Sequence, residues 1–445
     1  MTNNILKDLG DNLILRRSSP ADADALADFN SRVHSDDGWE QPENHLEDWT
    51  RDLLTKPHPT FSPDDFTIVE DTQTGKIVST SNLISQTWSY AGVEFGVGRP
   101  ELVGTHPDYR NRGLIREQFE VLHQWSAERG EKVQVITGIP WYYRLFGYEM
   151  TVDLDGGRSG SPHLAPKLKD DEEEPFKVRP ADESDLEFIA ETYEHGLVRQ
   201  LLGVSRDAAM WKYELNGRSM GSTSHYELSV IENADGESVG FLVHPPAIWG
   251  SALRVIAYEL RPGMSWLAVT PSVLRYLKAT GEEIAAKDDK QKFNAYRFVF
   301  GRWHPVYDAA RHYLLEKQPP YAWYIRVADI PDFLQHISPV LEERLADSIA
   351  VGYTGELKLN FYRDGVKLDF EKGKIKAVEP WKPVDRSYSA AFPDKTFLHL
   401  LFGHRTFEEL EYAYTDCFTR SNAPDARPLL EILFPPEYSH PWGIA

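Results

Sequence analysis

The chemistry of this 445-residue chain is concentrated between Val103 and Arg116, in the order Val-Gly-Thr-His-Pro-Asp-Tyr-Arg-Asn-Arg-Gly-Leu-Ile-Arg. A strand runs into a proline-containing turn, then into an arginine-rich loop that opens a helix. The first N–H groups of a helix have no carbonyl partner within it, and the helix dipole adds positive potential at that end. Gly113 allows a close backbone approach that a side chain would block. Arg110, Arg112 and Arg116 place three cations within seven residues. Such a set forms a cradle for a diphosphate. The alternative is an ordinary helix entry whose arginines serve surface ion pairs. The rest of the chain has the opposite sign: 48 Lys+Arg against 69 Asp+Glu, a formal net charge of −21.

The elements that must hold this loop follow from periodicity. Residues 13–15 read as a strand and 20–33 as a helix. Strands follow at 66–69, 76–89 and 93–105, the last two turning at Ala91-Gly92. Residues 113–129 form a helix whose Leu114, Phe119, Leu122 and Trp125 share one side, and Gly130 caps it. A buried strand at 133–137, a short helix at 141–146 and a strand at 148–154 complete an α/β (α+β) unit over residues 1–155. The Gly-rich and charged stretch 156–175 reads as a linker. A second unit, 176–327, starts as the first does: strand, Arg, a Pro-Ala-Asp turn, helix. A third, 328–445, combines an amphipathic helix at 330–345 with a meander of short strands at 355–361, 365–370 and 374–378. It ends in a tail rich in proline and aromatics that cannot be a regular helix.

Composition excludes several classes. A net negative chain is unsuited to general nucleic-acid binding or to docking on anionic lipid, so neither nucleic acid nor membrane is an expected partner. No apolar run approaches the roughly 20 residues of a bilayer span. The single Cys417 excludes an internal disulfide framework and a cysteine-based zinc site. The histidines are scattered, and no metal is expected. A cytoplasmic location is the expectation.

Two motifs in order carry a resemblance. Arg110-x-x-Gly113-x-Ile115 is followed by Tyr143-x-x-x-Gly147-Tyr148. The chain resembles the GNAT superfamily of acetyl-CoA-dependent N-acetyltransferases, whose loop reads Arg/Gln-x-x-Gly-x-Gly/Ala; Ile115 stands where a small residue is usual. The whole layout resembles the enhanced-intracellular-survival (Eis-like) type: tandem GNAT-fold domains, the second degenerate, plus a C-terminal sterol-carrier-like domain. After the strand at 254–260 the second unit reads Arg261-Pro262-Gly263-Met264, without a cradle, so it is expected to be scaffold.

The resemblance implies roles. Main-chain groups of Val103 and Thr105 would hold the pantetheine arm of acetyl-CoA, the co-substrate. The loop Arg110, Asn111, Arg112, Gly113, Leu114 and Ile115 would hold its pyrophosphate. Tyr143 would be the acid that protonates the leaving thiolate, with Tyr142 as its competitor one residue out of register. The resemblance implies a terminal carboxylate, here at Ala445, as base; Glu101, on the strand before the cradle, is the other candidate. The acidic loop with Asp36, Asp37, Trp39 and Glu40, after the first helix, is placed to meet a cationic acceptor. The implied activity is acetyl transfer to a primary amine, of an aminoglycoside-like or other polycationic molecule or a lysine-bearing acceptor. The alternative is a non-catalytic ligand-binding or assembly protein with a vestigial CoA site. The resemblance also implies a homo-oligomer, with a hexamer as one candidate.

Overall fold

β-Branched and aromatic runs favour extended chain, and they build one long sheet in the computed structural model, which describes residues 4–288, 290–383 and 387–445. In chain order the first unit comprises β1 (Ile5–Gly10), β2 (Leu13–Arg17), α1 (Ala23–Val33), α2 (Asn44–Thr55), β3 (Phe66–Asp71), β4 (Lys76–Tyr90), β5 (Val93–Thr105), α3 (Leu114–Glu128), β6 (Val133–Ile136) and β7 (Glu149–Leu154). Strands β1 to β5 pair antiparallel in sequence order. β5 and β6 run parallel but pair only at Val97–Val133 and Gly98–Gln134. Beyond Gly98 the two strands part, and among the described residues Arg99 to Thr105 have no strand partner on that side.

Two local features shape this opening. Leu102 sits at a bulge in the β4–β5 ladder with φ of 51° and a buried side chain. A bulge re-aims the residues that follow it, here Val103 to Thr105. Gly104 faces α1 so closely that an added Cβ would lie 2.5 Å from Val33 Cγ1.

The second unit comprises β8 (Gly157–Gly160), β9 (Lys177–Pro180), α4 (Leu186–Leu197), β10 (Leu202–Ser205), α5 (Ala208–Asn216), β11 (Glu227–Glu232), β12 (Ser238–His244), β13 (Ala252–Val255), β14 (Ala257–Leu260), α6 (Trp266–Lys287), β15 (Ala295–Phe298), β16 (Glu316–Gln318) and β17 (Tyr321–Val327). Eight of its strands form two four-stranded sheets, in the orders β14-β12-β11-β9 and β13-β15-β8-β16, and β10 pairs antiparallel with β4 of the first sheet.

The two units exchange strands. β17 inserts between β6 and β7 of the first sheet, while β8, the strand after β7, lies between β15 and β16 of the second unit. The crossing needs glycine: Gly156 has φ of 73°, and an added Cβ would lie 2.5 Å from Pro320 N. β8 falls within the stretch the sequence reads as linker, and three of its four residues are buried. Its composition, Gly-Arg-Ser-Gly, lacks the alternation that marks a strand, so only its neighbours make it one. β17 likewise belongs by pairing to the first sheet, although it lies in the sequence of the second unit.

In the third unit the helix expected at 330–345 is two, Ile330–His336 and Ser338–Ala346, broken at Ile337 ahead of Pro339. The meander is Gly355–Asn360, Gly365–Glu371 and Lys374–Pro380. Its core runs continuously into that of the first sheet, from Phe95 and Trp88 through Phe333 to Leu401 and Phe434. No helix among the described residues is long and apolar enough to cross a membrane.

The tail does not dangle. Leu201 N–H donates to the Tyr438 carbonyl at 2.8 Å, Arg206 Nη2 to Trp442 at 2.7 Å, and Gln86 Nε2 to Ile444 at 2.8 Å. Ile444 is 2% exposed. Anchors from both units thus fix the tail's last turns in the cleft between them.

Candidate active site

The cradle begins where α3 does. Gly113 precedes the helix with φ of 77°, a left-handed backbone that an L side chain resists, and the space where its Cβ would stand is open. Among the described residues, the N–H groups of residues 111–115 reach no acceptor, whereas those of Arg116 and Glu117 both donate to the Gly113 carbonyl. The arginines form no ion pair with a described carboxylate. Arg110 Nε donates to the Thr105 carbonyl at 3.3 Å, Arg112 lies over the Tyr109 ring at 4.8 Å, and Arg116 over the Phe146 ring at 5.7 Å. The surface-pair explanation of this loop therefore has no support. Tyr109 braces it by donating to Asp71 Oδ2 at 2.6 Å.

A groove of about 780 Å³ runs past this loop, bordered by Val103, Thr105, residues 110–115, Tyr142, Tyr143 and Asp36. The side chain of Ile115 packs with Val103, Tyr142 and Phe146 against the aromatic cluster around Phe119. Its bulk is thus accommodated beside the cradle.

Tyr143 belongs to that cluster. Its ring is 4% exposed, stacks on Phe119 at 5.9 Å and meets Tyr324 edge-on at 5.4 Å. The spacing to Gly147 has a local cause. The short helix Tyr142–Phe146 must end and turn into β7, and Gly147 does this at φ of 87° while Tyr148 N–H closes onto the Tyr143 carbonyl at 3.3 Å. Burial, and then the charge of Glu101, push the Tyr143 phenol well above its ordinary range. It is a proton-bearing donor at neutral pH, and no described residue takes that hydrogen bond. Burial raises the Tyr142 phenol too, with Arg116 opposing.

Glu101 does not border the groove. It lines a second cavity of about 410 Å³ together with Thr137 and Ala445. Arg99 Nε donates to Glu101 Oε1 at 2.8 Å. Glu101 nevertheless acts on Tyr143 and on His34 across β5. The parting of β5 from β6 thus puts the groove and the cavity on either side of residues 101–103. Arg218 Nη2 donates to the Ala445 main-chain oxygen at 2.7 Å, so the two base candidates line one cavity.

The acidic loop is divided. Asp36 borders the groove beside the cradle, while Asp37 and Glu40 are exposed and border neither space. Trp39 packs on Phe29 at 5.7 Å and on His106 at 4.4 Å. The loop therefore flanks the cradle and does not enter the second cavity.

Sequence reasoning missed His34 and most of the cavity wall. His34 Nδ1 lies 3.0 Å from the Asn30 carbonyl, the ring also bonds the Val103 main chain, and burial holds it toward the neutral form. The wall includes Trp49, Trp249, Trp323 and Trp442, drawn from distant parts of the chain. The aromatic tail was the only signal in the sequence.

Residues 16–151 match the family described as "Acetyltransferase (GNAT) domain". Several solved structures share the fold over nearly the whole chain. A GCN5-related N-acetyltransferase from Kribbella flavida aligns with a TM-score of 0.65 at 17% identity, covering 97% of this chain and 98% of that one. A probable N-acyltransferase from Enterococcus faecalis V583 gives 0.64 at 14%, covering 96% and 97%. Eis1 from Mycobacterium abscessus gives 0.59 at 13%, covering 96% and 99%. No curated protein matches the chain at a significant level. The chain is a mixed α/β acyltransferase with a GNAT acetyltransferase domain, and such domains use acetyl-CoA as co-substrate.

Proposed function

We propose that this chain is an Eis-like N-acetyltransferase that moves an acetyl group from acetyl-CoA to the primary amine of a small acceptor. The observation that carries the reading is the run of five N–H groups at residues 111–115 without an acceptor among the described residues, beside three arginines without an ion pair among them, in a groove that Tyr143 also lines. These donors fit a diphosphate, and the open space at Gly113 leaves room for it.

Bound acetyl-CoA supplies the acetyl thioester. The main chain of Val103 and Thr105, beyond the point where β5 parts from β6, holds the pantetheine arm. Tyr143 offers its proton toward the sulfur, and Glu101 or a terminal carboxylate at Ala445 receives the amine proton across β5. An amide C–N bond replaces the thioester C–S bond, one proton leaving the amine and one reaching the thiolate. The second unit, lacking a cradle, serves as scaffold, and the third, sterol-carrier-like in the proposal, anchors the tail against both. Assembly into a homo-oligomer, up to a hexamer, belongs to the same proposal. The test is free-thiol release from acetyl-CoA over a panel of primary amines. Amine-dependent release supports the reading, and none with any amine overturns it.

A further inference from the structure

One guanidinium joins the tail to the Glu101 carboxylate. Arg99 and Glu101 stand two apart on β5, opposite Ile84 and Asn82 in the regular part of the β4–β5 ladder, so their side chains share a face. Arg99 Nε donates to Glu101 Oε1 at 2.8 Å, and Nη2 lies 2.5 Å from the same oxygen. No described residue hydrogen-bonds Glu101 Oε2, and the side chain, 13% exposed, lines the second cavity.

The third nitrogen of the same guanidinium reaches the tail. Arg99 Nη1 donates to the Ile444 carbonyl at 2.6 Å. Gln86, on the same face of β4, completes the seat: its Nε2 donates to that carbonyl at 2.8 Å, and its Oε1 accepts the Ile444 N–H at 3.3 Å. Gly443 lies flush on this seat, where an added Cβ would stand 3.0 Å from Arg99 Nη1 and 2.9 Å from Trp323 Cη2. The Trp323 ring lies 5.0 Å from the guanidinium carbon. Arg99 is buried, so its donors depend on acceptors within the protein. Glu101 serves Nε and Nη2, and the tail serves Nη1. The guanidinium is a rigid plane; it cannot turn to follow one of these partners without losing its fit to the other.

We propose that Arg99 is a positioning residue for acetyl transfer, a single rigid group that sets the Glu101 carboxylate and the docked tail in place together. This deepens the acetyl-transfer reading and rests on it. Arg99 acts through its partners. It pins Oε1 of Glu101 and leaves Oε2 to take the proton that the amine loses as the C–N bond forms. It also fixes Ile444, the residue before the other base candidate, so it places whichever of the two carboxylates receives that proton. The transfer itself is the balanced step above.

The test uses the full chain, with thiol release from acetyl-CoA over the amine panel, spermidine and phenethylamine included. Arg99→Gln lowers kcat roughly tenfold to a hundredfold and leaves the Kd for acetyl-CoA, read by isothermal titration, within about twofold, because the cradle lies in the groove across β5. Arg99→Lys, which keeps the charge and loses the fork, recovers part of kcat. Gly443→Val crowds the tail off Arg99 and lowers kcat by the same route, so the two losses do not multiply in the double variant. Hydrogen exchange in residues 435–445 speeds up in Arg99→Gln, while residues 107–117 keep the rate of the parent. The proposal is overturned by an unchanged kcat in Arg99→Gln, by losses that multiply in full, or by tail exchange that Arg99→Gln leaves as it was. Where Arg99→Gln fails to fold, Arg99→Lys and Gly443→Val supply the same comparison. Thiol release that Arg99→Gln leaves undiminished ends this role and keeps acetyl transfer; no release from the parent with any amine ends the acetyl-transfer reading and this role with it.

Discussion

Gly113 separates two physical contributions to cofactor binding, conformation and charge. Its backbone is left-handed at φ of 77°, and a Cβ there would meet nothing within 4 Å. Gly113→Ala therefore pays only the backbone strain of an L residue, about 1–2 kcal/mol, and clashes with no neighbour. Gly113→Asp pays the same strain and adds a negative charge at the mouth of the cradle. At about 6 Å from a doubly charged diphosphate, with an effective dielectric constant of about 40, that charge costs roughly 3 kcal/mol, or about a hundredfold in Kd. Isothermal titration of acetyl-CoA into the parent chain and both variants, at low and at higher salt, reads the two contributions apart. The aspartate variant binds about a hundredfold more weakly than the alanine variant, and the gap narrows with salt as screening grows. Equal affinities of the two variants would refute an electrostatic cradle. A gap that ignores salt would mean that the aspartate acts through the fold of the loop, which melting temperatures would reveal.

Three further outcomes are expected. Tyr143→Phe lowers kcat by about 10²–10⁴-fold and leaves the Kd for acetyl-CoA within about twofold, because the cradle is untouched; a larger loss from Tyr142→Phe in the same thiol-release assay would move the role one residue. Glu101→Gln and deletion of Ala445 discriminate the base: the change that removes the acidic limb of the kcat/KM profile identifies the carboxylate, and two intact profiles would leave the proton to water. Acid should loosen the tail. Burial depresses His58 and His440 from 6.5 to about 4, so between those values the unfolded chain binds more protons than the folded one. Their contribution is complete above about pH 6.5 and is lost as pH falls toward 4, which melting temperatures at pH 7.5, 6 and 5 will follow downward; a flat series would contradict this.

Motifs were legible where a function is local. The cradle is a strand, turn and helix within one short stretch, and the Tyr143–Gly147 spacing is a single turn with its cap, so both can be read along the chain. The first unit's strands were legible because their apolar and β-branched runs are long. The helix at Asn44–Thr55 was not foreseen, although it carries Trp49 and Leu53 into the core; its polar positions made it look like loop. The acidic loop was legible as charge but not as location. Composition says that Asp37 and Glu40 are anionic, and packing alone puts Trp39 onto His106, beside the cradle.

By itself the sequence determined the acetyltransferase motifs, the place of the cradle, and the succession of strands and helices around them, because each depends on residues a few positions apart. Tertiary structure decided the exchange of β8 and β17, the seat of the tail and the lining of the second cavity. Those depend on pairings such as Gln86 with Ile444, 358 positions away. Local propensity carries no information about which distant side chain will neutralise a given charge. A chain of net charge −21 can therefore bring three arginines into the lining of one cavity, and only the packed molecule shows it.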